Sequence, residues 1–237
     1  MLCQDISFPS PQENILYDEV LLHLAEQGME SESLRFWEAK EYFIVLGRIG
    51  KTQEDIHLKA AGQDRIPILR RYSGGGTVLQ GKGCLNYSLV LSKERGPDIA
   101  DLRKSYQYVL LRTVGALQTL GVEAAFKPIS DIALAGSDKK VSGNAQHRGK
   151  KFILHHGTIL YDFDLSLIEK YLQFPQSVPE YRRGRSHLEF VANIDRDPQA
   201  VKKALRKAFG VPGQDAQLTR PQKDCLKTFL ETRQVIF

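Results

Sequence analysis

The chain lacks any run of about 18 apolar residues, the length a membrane-crossing helix needs, so no membrane partner is expected. Cysteine is scarce. Cys3, Cys84 and Cys225 are odd in number and far apart, and they fit neither a zinc spacing nor a disulfide framework. The opening Met1-Leu2-Cys3-Gln4-Asp5 lacks the basic segment and apolar core of a secretory signal. These absences suggest a reducing, cytoplasmic setting. Charge of one sign is also in short supply. The net charge is only +5, and the basic residues are dispersed without interleaved aromatics, so no nucleic-acid partner is expected. Repeats and low-complexity tracts are missing. With 42% hydrophobic and 26% charged residues, the composition is that of an ordinary globular chain.

What is present is concentrated in two segments. The first is Arg70-Arg71-Tyr72-Ser73-Gly74-Gly75-Gly76-Thr77-Val78-Leu79. Three consecutive glycines cost conformational entropy, so a backbone reason is expected for them. A bare backbone flanked by two guanidinium groups and a serine suits a phosphate or carboxylate. The alternative is a glycine-rich hairpin with two solvated arginines.

The second segment is Lys140-Val141-Ser142-Gly143-Asn144-Ala145-Gln146, followed closely by His155-His156-Gly157-Thr158. Lys140 at the head of a strand can hold an anion as a point charge, or be an ordinary surface charge. The adjacent histidines invite a metal claim. Neighbours on a strand face opposite sides, so the two cannot share one ion.

Periodicity predicts helices over 14–26, 98–120, 165–172, 198–209 and 218–233. Strands are expected over 34–37, 42–46, 66–69, 77–79, 85–91, 129–135, 139–146 and 151–160. Residues 173–187 hold Pro175, Pro179 and Gly184 and read as a long loop, the kind that often serves as a lid. Strand groups with a few helices and no regular βαβ spacing predict an α/β (α+β) fold, with a mixed, mainly antiparallel central sheet flanked by helices.

Read in order, further motifs join these two. They are Asn14 with Asp18-Glu19, Leu34-Arg35-Phe36-Trp37, Ile44-Val45-Leu46-Gly47-Arg48, Leu85-Asn86-Tyr87-Ser88 and Ser130-Asp131-Ile132-Ala133. With the glycine loop, the Lys140 segment and His156-Gly157-Thr158-Ile159-Leu160, the chain resembles the lipoate-protein ligase A family. That family is a branch of the biotin/lipoate protein ligase superfamily, and the likeness runs over about residues 12–195.

The resemblance implies one biotinyl/lipoyl protein ligase-like catalytic domain over 1–237, with C-terminal helices in 198–237 and no separate accessory domain. It implies ATP-dependent activation of lipoate or octanoate to an acyl-adenylate, with Mg2+, then transfer to a lysine of a lipoyl carrier domain. Such carriers are the glycine cleavage H protein or a 2-oxoacid dehydrogenase E2-type domain. Lys140 would be the catalytic cation. Arg70, Arg71, Ser73, Gly74, Gly75, Gly76, Thr77, Val78, Leu79, Asp131, Ser142, Gly143, His156 and Gly157 would bind substrate or nucleotide, and Asp131 would lie near the metal.

The pattern also departs from the family. Ligases of this branch usually carry His-Asp and then Gly-Asn after the glycine loop. Here the residues are Gln80-Gly81-Lys82-Gly83-Cys84. Cys84 opens a rival reading, an ATP-independent octanoyl or lipoyl transferase working through a thioester. A third reading is a non-catalytic acyl-adenylate or carrier-binding protein. The extra C-terminal domain common in ligases is not expected, so a separate small protein is a candidate accessory partner.

Overall fold

Along the chain, β1 (Leu2–Asp5) leads into α1 (Pro11–Glu26), then β2 (Ser33–Trp37) and β3 (Phe43–Leu46). Short helices α2 (Thr52–Asp55) and α3 (Leu58–Gln63) precede β4 (Ile68–Arg70), β5 (Val78–Gln80) and β6 (Cys84–Ser92). Helices α4 (Pro97–Ala100) and α5 (Leu102–Gln118) come before β7 (Ala124–Lys127), β8 (Asp131–Leu134), β9 (Lys140–Arg148) and β10 (Phe152–Leu160). Then follow α6 (Ser166–Tyr171), α7 (His187–Phe190), α8 (Pro198–Phe209) and α9 (Arg220–Thr232). The computed structural model describes residues 1–211 and 213–233, so the expected domain's last residues, 234–237, lie outside the described part.

The strands form two sheets. The larger has the order β1-β2-β6-β10-β9-β8-β7 and the smaller β4-β3-β5. Among the strands of the described residues, β1–β2 and β3–β4 pair in parallel and the other strand pairs are antiparallel. This is the mixed, mainly antiparallel sheet with flanking helices that the strand spacing predicts.

The two faces of the large sheet are covered differently. On one face Leu85, Leu89, Leu91, Ile153 and Ile159 pack against Val109 and Leu117 of α5 and Leu205 of α8. Burying such a side chain stabilises the fold by about 1.5–3 kcal/mol. On the other face Val90 and Leu154 meet Val20 of α1 and Phe229 of α9. The small sheet covers the rest of that face, with Ile44 and Leu79 clustered with Cys84 of β6.

Several boundaries differ from expectation, each for a local reason. Helix α1 starts earlier, at Pro11, because Ser10 and Glu13 make a capping box. The long helix expected over 98–120 is broken. Asp101 leaves the helical region and its side chain accepts from the Lys104 N–H, starting α5 afresh. Strand β7 precedes the strand expected over 129–135. The strands at 34–37 and 42–46 belong to different sheets. The 173–187 segment contains a short 3-10 turn, Glu180–Arg182, and its last residue opens α7.

Candidate functional site

Strand register turns separate sequence motifs into rows. Trp37, Asn86, Thr158 and Gly143 lie side by side across β2, β6, β10 and β9. The next row is Arg35, Ser88, His156 and Ala145. Both rows face α1 and the small sheet, because successive strand residues alternate faces.

The glycine loop lies over these rows. It does not close a hairpin, since β4 and β5 both pair with β3 and not with each other. The loop therefore crosses the end of β3. A side chain on Gly47 would sit 2.0 Å from the Gly75 carbonyl oxygen, so a glycine is required there. Gly75 adopts φ +88 and lies 3.6 Å, measured from the position of an added Cβ, from the Ala145 methyl. Gly74 and Gly76 face open space, so their backbone is approachable.

Arg71 braces this loop, and Arg70 braces the turn after β3 that the loop crosses. Arg71 is buried and donates from Nη2 to the carbonyls of Gly74 (2.7 Å) and Gly76 (2.8 Å), and from Nε to Ser73 Oγ (3.1 Å). Burial lowers its guanidinium to about 10. Arg70 Nη1 donates to the carbonyls of Gly47 and Gly50, each at 2.9 Å. The reading of solvated arginines is thus corrected: both hold backbone carbonyls.

Lys140 reaches the same face through a β-bulge. Strand β8 pairs Ile132 with Ser142 and Ala133 with Lys140, leaving Val141 unpaired. Regular alternation would place Lys140 and Ser142 together. The bulge turns Lys140 over instead. Its Nζ lies 3.0 Å from where a Gly143 Cβ would be, so the amine passes close over Gly143 on its own strand. The amine pairs with Asp131 Oδ1 at 2.8 Å. Tyr181, from the long loop, donates to Asp131 Oδ2 at 2.7 Å. The loop is thereby latched to the site, and burial first, then the Asp131 charge, raises the Tyr181 phenol.

A buried polar string runs beneath the loop. Ser73 Oγ lies 2.6 Å from His156 Nε2, and His156 Nδ1 lies 3.5 Å from Asp18 Oδ2. Ser88 donates to Asp18 Oδ2 (2.6 Å) and Arg35 to Asp18 Oδ1 (2.7 Å). Burial works against the Asp18 carboxylate, but Arg35, His156 and Ser88 outweigh it and hold its carboxyl below the usual range. Nearby, Gln80 Nε2 donates to Thr158 Oγ1 and Thr158 donates to Asn86 Oδ1, each at 2.6 Å. Gln80 Oε1 and Asn86 Nδ2 are buried without a partner among the described residues, a donor and an acceptor left open beside the rows.

Other expected site residues fall elsewhere. Ser142 and Gly157 point to the α5 face. Ser142 Oγ accepts from Asn144 Nδ2, and a Cβ on Gly157 would strike Asn144 Oδ1 at 1.9 Å. Their motifs are corrected to packing roles. Thr77 bonds Asp55 of α2 at 2.6 Å. Leu79 is core and Val78 packs against core. Cys84 is 0% exposed, and burial pushes its thiol far up. It is sealed under the small sheet. A Cβ on Gly81 would lie 2.2 Å from the Tyr42 ring, so an acidic side chain does not fit there with the ring as it is placed. Asp131 has both oxygens engaged, and no group of three metal-ligating side chains occurs among the described residues. The residues do not form a metal centre of their own.

Asp18, Ser88, Asn86, Thr158 and Tyr181 were not expected as site residues. One signal was available. Asn14 and Asp18 stand four apart on the buried side of α1, where apolar residues belong.

Beside the loop lies a cavity of about 300 Å³ lined by Arg48, Ile49, Tyr72, Gly74, His147 and Arg148.

The model of the lipoyl protein ligase A/B catalytic domain matches residues 10–210. The chain belongs to this family. Among curated relatives, it is 34% identical to the lipoate-protein ligase LplJ of Bacillus subtilis over 64% of this chain and 44% of the relative. It is 28% identical to the octanoyltransferase LipM of Oceanobacillus iheyensis over 83% of this chain and 79% of the relative. The chain spans about half the length of several ligase relatives it matches, 46% for the one from Mycoplasma pneumoniae and 44% for LplJ.

Among solved structures, a bi-partite lipoate protein ligase of Thermoplasma acidophilum, described with its E2 lipoyl domain, superposes with a TM-score of 0.83. It covers 98% of this chain and 92% of the other at 23% identity. A lipoate-protein ligase A bound with ATP gives 0.82 at 23% identity, covering 98% of this chain and 94% of the other. At these identities the likeness speaks for the fold. No helix among the described residues is long and apolar enough to cross a membrane.

Proposed function

We propose that the chain is a lipoate-protein ligase, a single catalytic domain that activates lipoate or octanoate with ATP and transfers the acyl group to a lysine of a lipoyl carrier domain. The observation that carries the reading is the Lys140 amine, brought by the bulge onto the face that the glycine loop covers. Activation brings two anions together, so a cation and N–H donors must offset their repulsion. Lys140 supplies the cation. The open backbone at Gly74 and Gly76, held in shape by Arg71, supplies the donors.

Asp131 is the carboxylate that could help hold Mg2+ arriving with the nucleotide, once a phosphate draws Lys140 away. The ATP-bound neighbour and the ligase LplJ support adenylation. The bi-partite neighbour supports a lipoyl carrier domain as partner and a separate accessory subunit. A cytoplasmic setting belongs to the same proposal.

LipM favours a second reading, transfer without ATP. The sealed Cys84 argues against it. A pyrophosphate-release assay with lipoate, octanoate and biotin offered singly, with and without a lipoyl domain, decides between them. The ligase reading expects pyrophosphate with lipoate or octanoate. No pyrophosphate, with acyl transfer from an octanoyl carrier protein, would establish the transferase.

A further inference from the structure

We infer that the exposed turn Arg48-Ile49, together with Tyr72 and His147, is the surface on which a lipoyl carrier domain docks, through acidic side chains beside its acceptor lysine. The inference names the partner's footprint for the proposed function and rests on it.

A lysine reaches only as far as its aliphatic stem. A carrier that delivers one to the glycine loop must therefore rest on residues that border the loop. Two borders are available. One is the turn after β3. The Arg48 N–H donates to the Ser73 carbonyl at 2.9 Å, which ties this turn to the loop. The cavity of about 300 Å³ lies on this side, and Gly74 of the loop is part of its wall. The other border is the segment 173–187.

The cations on the two borders are used differently. On the second, Arg185 donates to the carbonyls of Ser137, Asp138 and Tyr181, Arg182 donates to the Arg185 carbonyl, and Arg183 faces Asp138 at 3.9 Å. These groups serve the loop's own fold. On the first, Arg48 is exposed, and its guanidinium makes no hydrogen bond or ion pair among the described residues. Arg148, also on the cavity, is held by neutral acceptors: Ser105 Oγ, Gln146 Oε1 and the carbonyls of Ile99 and Ala100. No carboxylate lines the cavity. This rim complements a negative patch on a partner.

The same border carries apolar surface. Ile49 is 81% exposed, more than any other large apolar side chain among the described residues. Arg70 holds its turn by the carbonyls of Gly47 and Gly50. Such a side chain gains on being covered; a protein surface covers it and a free anion does not. Tyr72 and His147 stack with ring centroids 4.0 Å apart, and the Arg233 guanidinium lies 5.5 Å from the Tyr72 ring. Strand β8 accompanies β9 only as far as Gly143. The sheet edge over 144–148 therefore has no strand on its outer side among the described residues. A cationic rim, an apolar knob and an open sheet edge beside the reactive loop suit one protein partner, the domain that brings the acceptor.

The test uses the full chain and an apo lipoyl domain, with the variants Arg48→Glu, Ile49→Ser and, on the other border, Arg183→Glu. Lysine transfer gives a KM for the carrier and a KM for lipoate. In Arg48→Glu the carrier KM should rise at least about 10-fold further than the lipoate KM, and its salt dependence should flatten. Ile49→Ser should raise the carrier KM several-fold and leave its salt dependence as it was. A lipoyl domain whose acidic residues beside the acceptor lysine are changed to lysine should restore Arg48→Glu, which a misshapen loop would not allow. Arg183→Glu should keep the carrier KM within about twofold. Equal rises in both KM values would make Arg48 and Ile49 part of the loop's fold and overturn the inference. A carrier KM that rises only in Arg183→Glu would overturn it too. So would variants of the turn that change the oligomeric state in size-exclusion chromatography and spare the carrier KM. A wild-type chain that releases no pyrophosphate sinks the ligase reading instead. Docking is then read by calorimetric titration with the apo lipoyl domain, which needs no chemistry. Binding that Arg48→Glu weakens about 10-fold upholds the surface, and a wild-type chain that binds no lipoyl domain overturns it.

Discussion

His155 and His156 are neighbours on β10, yet the sheet sends them to surroundings that have little in common. His155 enters the α5 face with no exposure, where its ring nitrogens meet Gln146 (3.0 Å) and Asn144 (3.3 Å). Burial first, then the charge on His156, lowers it to about 3. His156 enters the other face, between Ser73 and Asp18, with its side chain 19% exposed. One face satisfies its polar groups internally. The other leaves Gln80 Oε1 and Asn86 Nδ2 open and gathers cations, carboxylates and bare glycine backbone. A closed network lends rigidity; an open one is suited to a ligand.

The most severe test of that contrast is Lys140→Ala. The amine is the charge that the open face presents. Its loss is expected to slow adenylation by about 10²- to 10³-fold, the effect of removing one preorganised charge-stabilising group. Its side chain is 29% exposed and Asp131 keeps its bond from Tyr181, so the melting temperature should hold. A variant that melts far lower would make this face as structural as the other. Pyrophosphate release and a thermal melt read both quantities.

His155→Leu probes the closed face and should act in reverse. It leaves Gln146 Nε2 and the Asn144 amide short of a partner, a cost of about 1–3 kcal/mol. For a chain of this length that is a fall of roughly 3–10 °C in melting temperature, with the ratio of the two half-reactions preserved. The pH dependence follows from the sign of the shift. Unfolded histidine titrates near 6.5 and folded His155 near 3, so between these values the unfolded chain binds the extra proton. Stability from this group is full above about 6.5 and is lost as pH falls toward about 3. The variant should show a flatter decline in melting temperature across that window. An unchanged slope would mean that His155 is not held neutral.

Much of this contrast is written in local sequence, and some of it is not. Strand alternation alone separates the two histidines. Pro198 and Gly210 bound α8 as its helical signals require. Three glycines shortly after a pair of arginines mark the loop. The bulge at Val141 is different. Alternation groups Lys140 with Ser142, and only the pairing with β8 reveals that Lys140 turns over. The break at Asp101 is hidden because the apolar spacing runs straight through it. The small sheet depends on a parallel pairing between β3 and β4 across two helices, which no nearby residue announces. The arginines look like ligand groups in sequence because nothing in a sequence shows which carbonyls will lie within their reach. Asp18 is the instructive case: its chemistry depends on partners from β2, β6 and β10, each distant along the chain.

The smallest expected effect belongs to Cys84, which shares the open face by parity but is closed off by packing. It stands in one alternating series with Asn86 and Ser88 on β6, yet Ile44, Leu79 and Phe163 enclose it. The neighbouring Gly83 lies close against the Asp162 carbonyl; an added Cβ would lie 2.2 Å from that oxygen. Nucleophilic chemistry needs a thiolate, and burial holds this sulfur as the thiol. Cys84→Ala should therefore cost about 1 kcal/mol of stability through the lost sulfur and leave pyrophosphate release and lysine transfer within twofold, roughly the scatter of such assays. In the native chain the thiol should resist alkylation until unfolding. Loss of transfer in Cys84→Ala, with an acyl thioester trapped at this position in the parent chain, would mean that the small sheet opens in solution. The boundary between the closed and open regions would then have to be redrawn to include β5 and the turn before β6.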